Sequence, residues 1–344
     1  MNFDVDKRTI ILVRGGSHSY GLNVATSDED FKGVCIKPRE AYFGFTQKFE
    51  QMEHMGSKSD GIDKVVYSLD KFASLAADCN PNIIEVLHVS PEDIIKLDEF
   101  GNTLMSHRDE FLSKKAKFTF SGYARAQLHI IKSHRAWLLN PPKAAPERKD
   151  FGLSDNVKVS KSELGAFNSL VEQGIKMHVS NDIVSNESFW ERTAYAAKYI
   201  FGRRARPADV VTLFTREKAY QSAKTHFDQY FNWVKTRNPA RAEYEAKYGY
   251  DTKHGMHLMR LQMAGVRILK YSKVVVKWVG AEREFLMSVR NGELPYDELV
   301  ERAEKLEAEA NELYKTSTLR KEPNRAKIDD IIVNMTYAYL SKHG

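Results

Sequence analysis

The chain of 344 residues is 42% hydrophobic and 28% charged, a globular composition with length for about two domains and a sizeable core. It lacks the roughly 18 consecutive apolar residues of a membrane span, and Met1-Asn2-Phe3-Asp4 lacks the basic-then-apolar order of a signal peptide, so a cytoplasmic location is expected. A net charge of +6 permits polyanionic partners without singling them out, and Cys35 and Cys79, far apart in apolar contexts, predict buried thiols rather than a disulfide or a zinc site.

A first strand is predicted at Thr9 to Val13, stopping at Gly15-Gly16-Ser17. Glycines at a strand end expose backbone N–H groups, and Ser17 adds a hydroxyl, which suits holding a phosphate. Ten residues lie between Ser17 and Asp28, enough for a helical turn and a loop. Asp28-Glu29-Asp30 then opens a second strand that continues over Phe31 to Ile36. The period of two puts Asp28 and Asp30 on one face and Glu29 on the other. Neighbouring carboxylates repel, a cost tolerated where a divalent cation sits between them. The plainer alternative is a helix N-cap at Ser27-Asp28, with the acids in its first turn.

Pro38 to Gly61 reads as a loop rich in aromatics, a candidate flap, and Ile62 to Ser68 as a third strand. On that strand Asp63 shares a face with Val65 and Tyr67, and an acid on an apolar face calls for a partner. A metal shared with Asp28 and Asp30 would serve, Glu53 and Asp60 being substitutes and an exposed strand-end acid the bland reading. Ser68 opens a helix through Leu75, and Asn80-Pro81 ends it and starts another. The α/β part thus closes near Leu97.

From Phe100 onward the periodicity is helical, interrupted by a loop from Asn140 to about Ser160 and by the arginine-rich turn Gly202 to Pro207, with a long amphipathic helix starting near Ala208. Arg302 to Tyr314 reads as a solvated helix. Two helical stretches carry cationic stripes at spacing i, i+4, i+7: Arg125, His129 and Lys132, and Lys253, His257 and Arg260, with His254 at the margin. A solvent-exposed basic face explains either alone, but histidine beside cations also fits phosphate recognition.

The order strand, Gly-Ser, Asp-x-Asp and later acid resembles the signature of the DNA polymerase β-like nucleotidyltransferase superfamily. The segments GSHSYGLNVATSDEDFKGV, DKVVYSLDKFASLAADCNPNIIEVL, GYARAQLHIIKSHRAWLLNPP, YDTKHGMHLMRL and VRNGEL resemble, in that order, a bacterial and phage family of predicted nucleotidyltransferases. The resemblance implies an α+β fold: a catalytic core over residues 1–97, a small mixed sheet with helices, followed by an α-helical domain over 98–344 that completes the cleft. It implies that Gly16, Ser17, Asp28, Asp30 and Asp63 hold the catalytic positions and that the acids bind two Mg²⁺ or Mn²⁺ ions. A hydroxyl would attack the α-phosphorus of a nucleoside triphosphate such as ATP, releasing pyrophosphate. His18, Lys253, His257 and Arg260 would join Gly16 and Ser17 on the nucleotide, with Arg125, His129 and Lys132 on an acceptor that is RNA such as tRNA, a protein or a small molecule. One departure stands out: Glu29 occupies a position the superfamily fills with an apolar residue. A non-catalytic RNA-binding or antitoxin-like partner on the same fold is the alternative, and the nucleotide, the acceptor and the oligomeric state stay open.

Overall fold

The computed structural model describes residues 3–55, 62–156, 159–169 and 207–343. Five strands form one mixed sheet in the order β3-β4-β2-β1-β5. The central pair, β1 (Thr9–Arg14) and β2 (Glu29–Cys35), runs antiparallel. β4 (Ile62–Ser68) lies parallel to β2 in a register that sets Asp30 opposite Asp63. β3 (Gln51–His54) and β5 (Ile94–Leu97) close the two edges, each antiparallel to its neighbour. The α+β class expected from the sequence is the one observed.

The stretch expected to be a loop contains a short helix, α2 (Arg39–Phe43), and the edge strand β3. Phe49 is buried beside Val5, Cys35 and Val66, with Met52 packed on the group, so burial draws this segment into the sheet against its loop-like composition. Phe43 and Phe45 are instead 81% and 91% exposed. Residues 56–61, including Asp60, lie outside the described residues, as do Arg203, Arg204 and Arg206 of the arginine-rich turn. β5 went unforeseen because four residues are too few for a pattern of two to register. Glu29, on the back of β2, is partly exposed with Arg14 as its ion-pair partner at 3.9 Å. The charge at this position is therefore solvated and paired.

Helices α1 (Gly16–Ser19), α3 (Leu69–Ala77), α4 (Pro81–Ile84), α5 (Glu99–Ser106) and α6 (Lys115–Leu139) complete the N-terminal part. Asn80 caps α4 by accepting from the Asn82 N–H at 3.0 Å, ahead of Pro81 at the first helical position. The chain forms two compact units, Met1–Arg135 with Pro239–Gly344, and Ala136–Asn238. In the first, one core runs from Ile10 and Ile11 of the sheet through Phe120 of α6 and Met259 of the Thr252–Tyr271 helix to Tyr339 of the Arg325–His343 helix. The change of periodicity near Phe100 marks a change of element type, and the core passes through it unbroken. Both cysteines are buried and unpaired, as the sequence predicts. In the second unit the Pro207–Thr236 helix contributes Val210 and Phe214 to a small core with Val159, Leu164 and Phe167, and Arg148 donates to both carboxylate oxygens of Glu217. Among the described residues no helix is long and apolar enough to cross a membrane.

Candidate active site

β1 ends at Arg14 and the chain turns through Gly15 and Gly16 so tightly that the Gly15 N–H donates to the Asp30 carbonyl at 2.7 Å. Gly16 sits at φ +60°, and a Cβ there would lie 1.8 Å from Asp30 Oδ2. Glycine is thus required twice over, by the left-handed backbone and by the carboxylate against it. The Gly-Gly-Ser turn, read from sequence as a phosphate cradle, also makes the space in which Asp30 stands.

Asp28 lies just before β2 and Asp30 within it, and both open onto a cavity of about 390 Å³. Asp63, the register partner of Asp30 on β4, lies outside the cavity lining but acts on Asp30 electrostatically. Burial pushes the Asp30 carboxyl above its ordinary range, Asp63 and Asp28 push the same way, and Lys32 and Lys253 oppose them. Such crowding of negative charge on oxygen donors fits a divalent cation. Glu53 stands opposite Val65 on the edge strand, where Gln51 donates to it, and is not among the groups that shift Asp30.

The opposite wall comes from the Thr252–Tyr271 helix, whose Lys253, His254, His257 and Arg260 all line the cavity. The stripe is not uniform. Arg260 is only 3% exposed; it donates to Glu85 and its guanidinium lies 3.8 Å from the centre of the Tyr20 ring. Tyr20 donates to the other Glu85 oxygen at 2.8 Å. Arg260, expected on the nucleotide, lines the cavity as a buried ion pair, held by a carboxylate and an aromatic face. His257 is held neutral, its pKa lowered well below the ordinary value first by burial and then by Arg260 and Lys253. Lys253 is the cation of the stripe that faces Asp30 electrostatically.

Sequence reasoning missed Lys32, two residues past Asp30 on the same face of β2, though the alternation that paired Asp28 with Asp30 reaches it. Its amine donates to the Asn82 carbonyl at 2.9 Å and its pKa is lowered by burial, against Glu85 and Asp30. Also missed were Asn82, Tyr123 and Gln127, neutral polar groups lining the cavity. Tyr123 and Gln127 are one turn apart on α6, so α6 turns these groups to the cavity. Arg125, His129 and Lys132 are exposed and outside the lining, and Arg125 donates to Glu307 at 2.7 Å. His18 is also outside it, with Nε2 3.5 Å from the Ser27 carbonyl. Ser17 lines the cavity beside Gly16.

Residues 3–136 match the family described as RlaP, the RNA repair pathway DNA polymerase beta family. The chain is similar to the "Uncharacterized 38.9 kDa protein in nrdC-mobD intergenic region" of Enterobacteria phage T4, 32% identical over 127 residues, which is 35% of this chain and 38% of the phage protein. The match thus spans little more than a third of that relative's length. No solved structure matches the chain.

Proposed function

Because residues 3–136 match the model of an RNA repair pathway DNA polymerase beta family, we propose that this chain transfers a nucleoside monophosphate from a nucleoside triphosphate to an acceptor hydroxyl. The reading rests chiefly on Asp30 and Asp63 in register on adjacent strands, with Asp28 beside them and Lys32 and Lys253 around the same cavity. Asp28, Asp30 and Asp63 would hold the two Mg²⁺ or Mn²⁺ ions, which supply charge neutralisation at the phosphates and a more acidic acceptor hydroxyl when bound.

The remaining work falls to the chain's own groups. Lys32 and Lys253 bind phosphate oxygens, and Ser17 adds a hydroxyl donor. A neutral His257 donates one hydrogen bond and carries no charge, so it orients where a lysine would only attract. Arg260, committed to Glu85 and Tyr20, braces the helix that presents Lys253. Asn82, Tyr123 and Gln127 offer neutral donors and acceptors to sugar or base. The bond formed joins the acceptor oxygen to the α-phosphorus, and pyrophosphate leaves with the electron pair of the broken bond. The family's description names RNA repair, which favours RNA as acceptor. Exposed His129 and Lys132, on the helix that also carries Tyr123 and Gln127, are the surface we assign to it.

Incubation with each α-labelled nucleoside triphosphate, Mg²⁺ or Mn²⁺, and separate RNA, protein and metabolite pools tests the proposal. Label is expected in the RNA pool with the wild type and in none with Asp30→Asn. A wild type that binds nucleotide yet labels no pool would overturn transfer and leave a binding protein.

A further inference from the structure

The positive charge of the chain is unevenly spread. The unit Ala136–Asn238 contains 16 lysines and arginines against 11 aspartates and glutamates, so it holds +5 of the chain's +6 and leaves the rest near neutrality. Within this unit, the second half of the Pro207–Thr236 helix turns one side to Trp137. Tyr230 and Trp233 lie 6.0 and 5.3 Å from the Trp137 ring, the Trp137 indole N–H donates to His226 at 2.8 Å, and Arg237 stacks on Trp233. Positions 226, 230, 233 and 237 thus share a side committed to packing.

The opposite side differs. Lys224, Asp228, Phe231 and Lys235 repeat that spacing two residues earlier, roughly 200° around the helix at about 100° per residue. The stripe they form is buried further up the helix, at Val210, Phe214 and Glu217, but here it is open. Phe231 is 60% exposed and neighbouring Val234 42%, and the Phe227 and Phe231 rings lie within 15° of parallel. Lys224 and Lys235 are exposed and make no ion pair among the described residues. Solubility explains the lysines and leaves the adjoining apolar side chains unexplained.

We propose that this face holds single-stranded RNA, with Phe231 and its neighbour Phe227 stacking bases and Lys224 and Lys235 meeting phosphates on either side. The inference deepens the reading of RNA as the acceptor, on which it rests, and uses residues other than His129 and Lys132. Charge complementarity selects a polyanion, and the aromatic rings select one with exposed π-faces. A duplex keeps its bases stacked on one another and closed to Phe231. An anionic lipid surface would also attract the lysines, but exposed Asp228, Asn232 and Lys235 surround Phe231, too polar a face to sink into a bilayer.

The test is fluorescence anisotropy of the full chain with a labelled single-stranded oligoribonucleotide, with its duplex and anionic vesicles as competitors, in the absence of nucleotide and metal. The wild type is expected to prefer the single strand. Phe231→Ser is expected to weaken binding about tenfold and Phe231→Trp to keep it. The double variant Lys224→Gln/Lys235→Gln is expected to flatten the slope of log affinity against log salt by about 1.4, the value for two phosphate contacts on a single strand. The replaced side chains are exposed, so all these variants should melt with the wild type. Because binding is read without chemistry, a wild type that binds RNA through this face yet labels none overturns the transfer reading and supports the surface. Wild-type RNA affinity in Phe231→Ser, an unchanged salt slope in the lysine variant, equal affinity for the duplex, or displacement of the RNA by vesicles alone would each overturn the proposal.

Discussion

Gly16 leaves no room for a side chain, because the methyl of an alanine would occupy the space of the Asp30 carboxylate. Gly16→Ala is therefore expected to lose transfer activity almost completely and about 1–2 kcal/mol of stability from the left-handed backbone, read by labelled-nucleotide transfer and urea unfolding. Part of that loss is steric and shared with its neighbour. Adding Asp30→Ala should recover some of the stability and none of the activity, and strictly additive energies in this cycle would show that the two groups do not touch. Ser17→Ala, with its hydroxyl at the cavity wall, should weaken nucleotide binding by only about 1 kcal/mol. For the acids the expectation differs. Asp30 is held above its ordinary pKa by burial and by its acidic neighbours, so Asp30→Asn removes repulsion: its melting temperature without metal should match or exceed the wild type while transfer vanishes. A lower melting temperature would mean that Asp30 is a structural anion.

The Thr252–Tyr271 helix separates two kinds of cation that look alike in sequence. Lys253 faces the acids, whereas Arg260 is bound to Glu85. Lys253→Ala should raise the KM for nucleotide with little change in stability. Glu85→Ala strands a buried guanidinium and should lower stability by about 3–5 kcal/mol. Similar unfolding midpoints for the two would show that the buried pair contributes little. The helical spacing was readable from the sequence, as were the three central strands and the facing pair Asp28 and Asp30, because alternation and period are local properties. What was not readable depends on distant partners. Glu85 and Tyr20 lie far from Arg260 along the chain, and an arginine scored as polar says nothing about a carboxylate waiting in the core. β3 was hidden because a segment rich in exposed aromatics and turn residues becomes a strand only through the edge that β4 offers it. Lys32 was within reach of the same alternation that found Asp30; a strand cation between apolar residues was a signal left unused.

Across the first unit the core is continuous, and buried groups within it give the fold a dependence on acidity. Burial and the nearby Arg108 lower the pKa of His88 to about 3, and its Nε2 has no hydrogen-bond partner among the described residues. The native state therefore keeps this ring neutral while the unfolded chain takes up a proton below its ordinary value near 6.5. Stability should be insensitive to this group above that value and fall as pH drops toward about 3, by up to about 1.4 kcal/mol per pH unit. His257 acts in the same direction. In urea titrations across this range His88→Gln should flatten the slope by close to one proton, and an unchanged slope would mean that the ring protonates in place. The same continuity bears on how the protein is made. Phe100, which caps the sheet, packs edge-on against Tyr339 at 5.1 Å, more than 200 residues later. At a ribosomal pace of about 5–20 residues per second, the nascent sheet waits on the order of tens of seconds for the helix that covers it. During that interval its apolar face is open to chaperones and to other unfinished copies. Slowing elongation should therefore lengthen this exposure and lower the soluble yield, although no contact in the finished molecule has changed.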